Sequence, residues 1–310
     1  MIGVATIESI LANEYDDSIY AVVRHNSRNL KRLPNDCRIH IIECEAENYF
    51  ELTELISTHC DIFYHFAWSE AGQDRNKNII GQSKNISITL SALTAAHDLG
   101  CKKFIGAGSQ AEYGLLDLDK IEPDSPVNPI QPYGIAKYSA GKLSIALAEQ
   151  YEMDCLWTRI FSIYGSYDRP STLISSAIDG LLNGKRVSFT PAEQRWDYLY
   201  SSDAGNAFYL IGKRSVGRKV YCLGSGEARP LKDYIFDMQK IINPDCPVGI
   251  GDKTYPKNCV MNLCADISDI QKDTGWKPKV IFEEGIMAIV RNRLTIGGGY
   301  TKKQIKRIDR

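Results

Sequence analysis

Short apolar, β-branched runs recur along the first two thirds of the chain, each followed by a longer amphipathic stretch. That alternation constrains the fold more than any other feature. Residues 18–23, 38–42, 61–67, 103–107 and 156–160 have the length and the β-branched or aromatic content of strands. Residues 79–99 show helical periodicity and stop at Gly100, and a second helix is expected over 133–151. Strands and helices in this order predict an α/β fold, a doubly wound parallel sheet with helices on both faces. The last third is less regular. Helices are expected over 170–184, 230–242 and 283–293, and strands over 197–200 and 219–223. They suggest a smaller C-terminal lobe interleaved with the end of the sheet. Gly297, Gly298 and Gly299 follow no strand, so they read as a linker to a flexible basic tail rather than as a phosphate loop.

At 310 residues the chain can bury a core without disulfides or metals. Lys plus Arg is 37 and Asp plus Glu is 38, a formal net charge of −1, which argues against a general nucleic-acid binder. No apolar run approaches the roughly 18 residues of a membrane span, so no membrane partner is expected. No basic segment precedes an apolar run at the N-terminus, so no signal peptide is expected. The nine cysteines are scattered, odd in number and lack a C-x-x-C, which fits reduced thiols in a cytoplasmic protein. The five histidines form no ligand-like cluster, and His65, inside an apolar segment, reads as structural; no metal site is expected.

The strongest chemical signal is Tyr133-Gly-Ile-Ala-Lys137. Residues i and i+4 share a helix face, so a phenol and an ammonium can point into one site. A free phenol, with a pKa of about 10, is a poor base near neutrality, and a neighbouring cation lowers that value. The pair suits acid/base work in alcohol–ketone interconversion. The plain alternative is a solvated helix face. Ser109 follows the strand 103–107, at the end of a parallel strand where such sheets bind ligands, and its hydroxyl could donate to a substrate oxygen. A Ser/Gly turn without chemistry is the alternative there.

With these residues in view, the chain resembles an extended short-chain dehydrogenase/reductase of the nucleotide-sugar epimerase/dehydratase/reductase family. The likeness spans nearly the whole sequence. It rests on the strand 61–67 with His65 and Ala67, Asn85, Ser109 four residues before Tyr113-Gly114, and Pro132-Tyr133-Gly-x-x-Lys137. It continues through Arg159-x-Phe161-Ser-Ile-Tyr164-Gly165, Arg195-Trp-Asp197-Tyr-Leu-Tyr200-x-x-Asp203-Ala204, Gly224-Ser-Gly226 and Gly275-Trp276-Lys-Pro278. The resemblance implies that Ser109 and Tyr133 bind the reacting sugar oxygen, with Tyr133 as acid/base. Lys137 would bind the nicotinamide ribose and lower the tyrosine pKa, and Asn85 would support the site. Ala67 and Gly3 would lie against the cofactor. Arg195 would pair with the substrate diphosphate, with Ser162 and Lys257 nearby. A homodimer through the helices 79–99 and 133–151 is implied. So is a division into an NAD(P)-binding domain (1–165 with about 196–224), a substrate lobe (about 166–195 with 225–293) and a tail (294–310).

The sequence also departs from the family. The family opens with a strand and a G-x-x-G-x-x-G turn, whereas this sequence opens Met1-Ile2-Gly3, resembling the last glycine of that turn and its helix. Two explanations stand: the sequence begins downstream of the natural start, which is the favoured view, or cofactor binding is weakened. NAD-preferring relatives carry an acidic residue after the second strand. Here stand Arg24, Ser27 and Arg28, which suit a 2′-phosphate, so NADP(H) is the expected cofactor with NAD(H) as the alternative. Solvated loop arginines would look the same. Gln110 and Ala111 occupy the positions of the dehydratase Asp-Glu pair, and Ala111 also replaces the cysteine of the epimerase/reductases. Hydride transfer at one sugar carbon, C4, remains. The leading expectation is a nucleoside-diphosphate 4-keto-sugar reductase; the alternatives are a 4-epimerase and a non-catalytic NADP-sensing protein on the same fold. Glu112 replaces the family's apolar residue before Tyr113 and has no evident role at this level.

Overall fold

A computed structural model of the chain describes residues 1–72 and 74–296. Helix α1 (Ile2–Asn13) precedes strands β1 (Ile19–Val23) and β2 (Ile39–Glu43), and a short α2 (Leu52–Leu55) leads into β3 (Ile62–His65). Then come α3 (Ile79–Asp98), β4 (Lys103–Ser109), α4 (Pro132–Gln150) and β5 (Asp154–Ile160). The chain continues through β6 (Ser162–Tyr164), α5 (Leu173–Leu182), β7 (Val187–Ser188), β8 (Arg195–Trp196), β9 (Tyr198–Tyr200), α6 (Ser201–Arg214) and β10 (Arg218–Leu223). It closes with β11 (Arg229–Pro230), α7 (Leu231–Ile242), β12 (Val248–Gly249), β13 (Asn262–Leu263), α8 (Ser268–Thr274) and α9 (Phe282–Ile296).

The expected α/β architecture is present, with one break. Strands β10, β5, β4 and β3 form a parallel sheet in that order, while β1 and β2 form a separate parallel pair. In a doubly wound sheet of order 3-2-1-4-5-6, β2–β1 takes the place of 3-2 and β3–β4–β5 that of 4-5-6. Among the described residues β1 pairs only with β2 and β3 only with β4, so the place of strand 1 is open.

Local sequence explains where the main helices begin and end. Asn78 caps α3 by accepting from the Gly81 N–H at 2.9 Å, and Gly100, at φ +82°, follows its end. Pro132 starts α4 at a position where its missing N–H costs nothing. The strand expected through Ala67 stops at His65, leaving Ala67 exposed. The last helix runs on to Ile296, so the expected tail onset at 294 falls inside a helix; residues 297–310, with the basic tail, lie outside the described residues. Helices α6 and α8 were not anticipated.

Packing places α4 unusually close to the sheet. Apart from Lys137, its buried residues are small: Gly134, Ala136, Ala140, Gly141, Ser144 and Ala148. The Trp157 side chain of β5 fills the space they leave, and a Cβ on Gly141 would come within 2.6 Å of its indole. Gly141→Ala therefore overpacks this contact, at a cost of about 1–3 kcal/mol. The gain in helix propensity offsets about 1 kcal/mol of that. A urea titration is expected to show a net loss of up to about 2 kcal/mol; a gain would mean that α4 does not rest on Trp157. Three cores complete the fold. One lies between the sheet and α3, around Leu52, Leu93 and Phe104. A second lies on the opposite face, where Trp276 packs with Leu156, Phe208 and Tyr221. The third joins α5, α7 and α9 around Ile178, Ile235 and Ile286.

Candidate active site

Strand β4 ends at Ser109, and a single 3-10 turn, Gln110–Glu112, follows immediately. The Ser109 hydroxyl accepts from the Ala111 N–H at 3.2 Å, and the Glu112 carboxylate accepts from the Ser109 N–H at 2.8 Å, a reciprocal capping box. Helix α4 starts over this turn: a Cβ on Gly134 would strike the Ala111 carbonyl. Tyr133 thereby comes beside Ser109, whose hydroxyl acts on the phenol. The Tyr133 N–H is held by the Asn76 side chain at 3.2 Å, and Trp68 meets its ring edge-on at 6.0 Å.

Burial pushes the Tyr133 phenol above its ordinary range. The Arg75 guanidinium, 4.5 Å from the ring centroid, opposes this most, followed by the Ser109 hydroxyl; Glu112 pushes it up and Arg169 pulls it down. The cations set against the phenol are thus two arginines from loops. Lys137 is almost completely buried, and burial pushes its ammonium down to about 7, with Glu112 pulling the other way. It donates to the Ala107 carbonyl at 2.6 Å and lies 3.6 Å over the Trp68 ring. An ammonium has three N–H donors. Only one is used in a hydrogen bond within the described residues.

The supporting residues divide into those the fold gathers and those it separates. Asn85, 1% exposed, braces the backbone of Ser69 in both directions, accepting from its N–H at 2.9 Å and donating to its carbonyl at 3.1 Å. Gln82, one turn before, accepts from the Trp68 indole at 2.9 Å. Gly3 lies on α1 against Phe66. Ser162 accepts from the Trp196 indole at 2.7 Å. Arg195 lies on β8. Successive strand residues face opposite ways, so with Trp196 turned to Ser162, Arg195 is on the other face of β8. There it donates to the Ala228 carbonyl at 2.6 Å and lines a pocket of about 590 Å³ with Asp119, Lys120, Glu227 and Cys264. Lys257 is in an exposed loop. Arg24 and Arg28 are exposed after β1 with no carboxylate partner among the described residues, while His25 engages Glu43 and Glu45. His65 is buried, pushed down to about 3 by burial and then by Lys137, with Thr89 3.3 Å away: a structural histidine.

Trp68, Arg75, Asn76, Arg159 and Arg169 were not singled out as site residues from sequence. Glu112 had a legible signal, the S-x-x-E spacing from Ser109 that marks a capping box. The loop arginines had none.

The family model described as "NAD dependent epimerase/dehydratase family" matches residues 1–224. The chain belongs to that family. It is 24% identical over 249 residues to the dTDP-4-dehydro-6-deoxyglucose reductase of Escherichia coli, covering 78% of each chain. The solved UDP-glucose 4-epimerase of Thermotoga maritima, with UDP-glucose, superposes with a TM-score of 0.83 at 22% identity, covering 95% of this chain and 96% of that one. The dTDP-glucose 4,6-dehydratase of Bacillus anthracis, in complex with NAD, gives a TM-score of 0.83 at 18% identity, covering 97% and 95%. These neighbours share the fold. No helix among the described residues is long and apolar enough to cross a membrane.

Proposed function

We propose that the chain is a nicotinamide-dependent nucleotide-sugar oxidoreductase acting at one sugar carbon, and that its leading reaction is reduction of a 4-keto sugar carried on a nucleoside diphosphate. The observation that carries this reading is the placing of the Tyr133 phenol beside Ser109 at the end of β4, with Lys137 one helical turn on. Ser109 and Tyr133 bind the keto oxygen, and Tyr133 gives it a proton as the carbonyl becomes an alcohol. The bound nicotinamide supplies the hydride. Lys137 holds the ribose with its free N–H groups. Gln110 and Ala111 offer no carboxylate for water elimination, which favours reduction over dehydration. A 4-epimerase uses the same three residues and is the second reading, favoured by the fold-level likeness to the Thermotoga enzyme.

The cofactor reading is NADP(H), on Arg24 and Arg28 standing without a carboxylate partner beside Ser27 among the described residues. The 1–165 and 196–224 segments hold the dinucleotide, and the 166–195 and 225–293 segments close over the sugar diphosphate, with Ser162 and Lys257 on that side. A homodimer through α3 and α4 accounts for exposed Ile79, Ile80, Ile135 and Leu143. Fluorescence titration with NADPH and with NADH is expected to show tighter NADPH binding. Arg24→Asp is expected to remove about 1.5–3 kcal/mol of a charged hydrogen bond, roughly a ten-fold or greater loss of that preference. An unchanged ratio refutes the cofactor assignment. Turnover of a nucleotide 4-keto sugar with NADPH tests the reaction itself; interconversion of 4-epimers without added cofactor turnover would select the second reading.

A further inference from the structure

Behind Ser109 the structure buries an ion pair that the proposed reaction does not itself require. Glu112 is 1% and Arg159 3% exposed. Glu112 Oε1 accepts from the Ser109 N–H at 2.8 Å and from the Trp157 indole at 2.9 Å, and its Oε2 accepts from Arg159 Nε at 2.8 Å. Arg159 also donates to the Pro123 carbonyl at 2.9 Å and lies 4.4 Å over the Tyr113 ring. Buried pairs of this kind are often no more stabilising than well-packed apolar residues of the same volume, so stability alone is a weak reason for one here. Its position supplies another. The carboxylate grips the backbone of Ser109, the residue beside the Tyr133 phenol, and its charge acts on both Tyr133 and Lys137.

We propose that Glu112, clamped by Arg159, is a positioning residue that fixes Ser109 against Tyr133 and sets the pH range in which Tyr133 and Lys137 carry their protons. This rests on the acid/base role given above to Tyr133. The groups that face Tyr133 are Arg75 and Asn76 from the loop before α3, Trp68 after β3, Ser109 and Glu112 at the end of β4, and Arg169 after β6. Lys137 faces the Ala107 carbonyl, Trp68, Trp157, Glu112 and His65. Glu112 is the anion in each set, and it favours the protonated form of both groups. Removing its charge therefore lowers both titrations. A ketone reductase needs the phenol protonated, so its rate falls as pH rises through the Tyr133 titration, and that alkaline limb moves to lower pH.

The test is Glu112→Gln in the full chain, with two readouts. In ¹³Cε-lysine NMR, with the Lys137 signal identified by its loss in Lys137→Met, the midpoint near 7 is expected to fall by about one pH unit. The alkaline limb of kcat for NADPH-dependent reduction of a nucleotide 4-keto sugar is expected to move the same way, with KM changed little. If Glu112→Gln does not fold, Glu112→Gln with Arg159→Met, which removes both charges together, is read in its place. A Lys137 midpoint and a kcat limb that stay where they are in the wild type, with only stability reduced, would overturn the proposal and leave Glu112 a packing residue. Absence of turnover in the wild type would count against the proposed reaction, while the NMR midpoint still decides the role of Glu112.

Discussion

Tyr133→Phe is expected to lower kcat by about 10²–10⁴-fold, the range that a positioned proton donor contributes, while the chain stays folded and binds NADPH as before. The structure separates the two effects. The hydroxyl faces Ser109, whereas the ring contacts with Trp68 and Arg75 do not need it. Phenylalanine keeps those contacts and leaves the Asn76 hold on the backbone intact. A steady-state assay beside a urea titration checks both parts. Retained turnover would move the proton to another group and remove the basis of the proposed reaction. Loss of folding would mean that the phenol braces the turn after β4.

The second large effect is on stability and is independent of the reaction. Glu112→Val places the family's apolar residue beneath Ser109 but strands the Arg159 guanidinium in a buried site. Breaking a buried pair in this way costs about 3–5 kcal/mol, enough to endanger a chain of ordinary stability. Among the described residues Arg159 then retains the Pro123 carbonyl and the Tyr113 ring, neither of which neutralises it. Glu112→Val combined with Arg159→Met is expected to recover most of the loss, since two apolar groups satisfy each other in the same space. The measurement is the urea midpoint of the three variants at constant slope. A single variant as stable as the wild type would show that water reaches Arg159.

Much of the scaffold was legible in the sequence because its causes are local. The alternation of β-branched runs with periodic helices, Pro132 before Tyr133 and Gly100 after α3 each act within a few residues, and the elements stand close to where those signals put them. The i, i+4 spacing placed Tyr133 and Lys137 on one helix face. Ser109 at a strand end brought it to the same crevice, and the S-x-x-E spacing carried the capping box.

Long-range packing decided the rest. The cations at the phenol, Arg75 and Arg169, come from separate loops that only the folded sheet brings together. Lys137 acquired a half-buried tryptophan above it and a depressed pKa because the fold buries it beneath Trp68, from the loop after β3 and far away in the chain. Arg195 fell on the face away from Ser162 because the pairing of β8 with β11 and β13 fixes which way its pleat runs. Glu112, unexplained as a letter, became the partner of Arg159 from the neighbouring strand. Periodicity and capping are decided by nearest neighbours along the chain. Charge pairing, burial and strand facing are decided by what the fold places across from them, and one sequence read alone does not contain that distance.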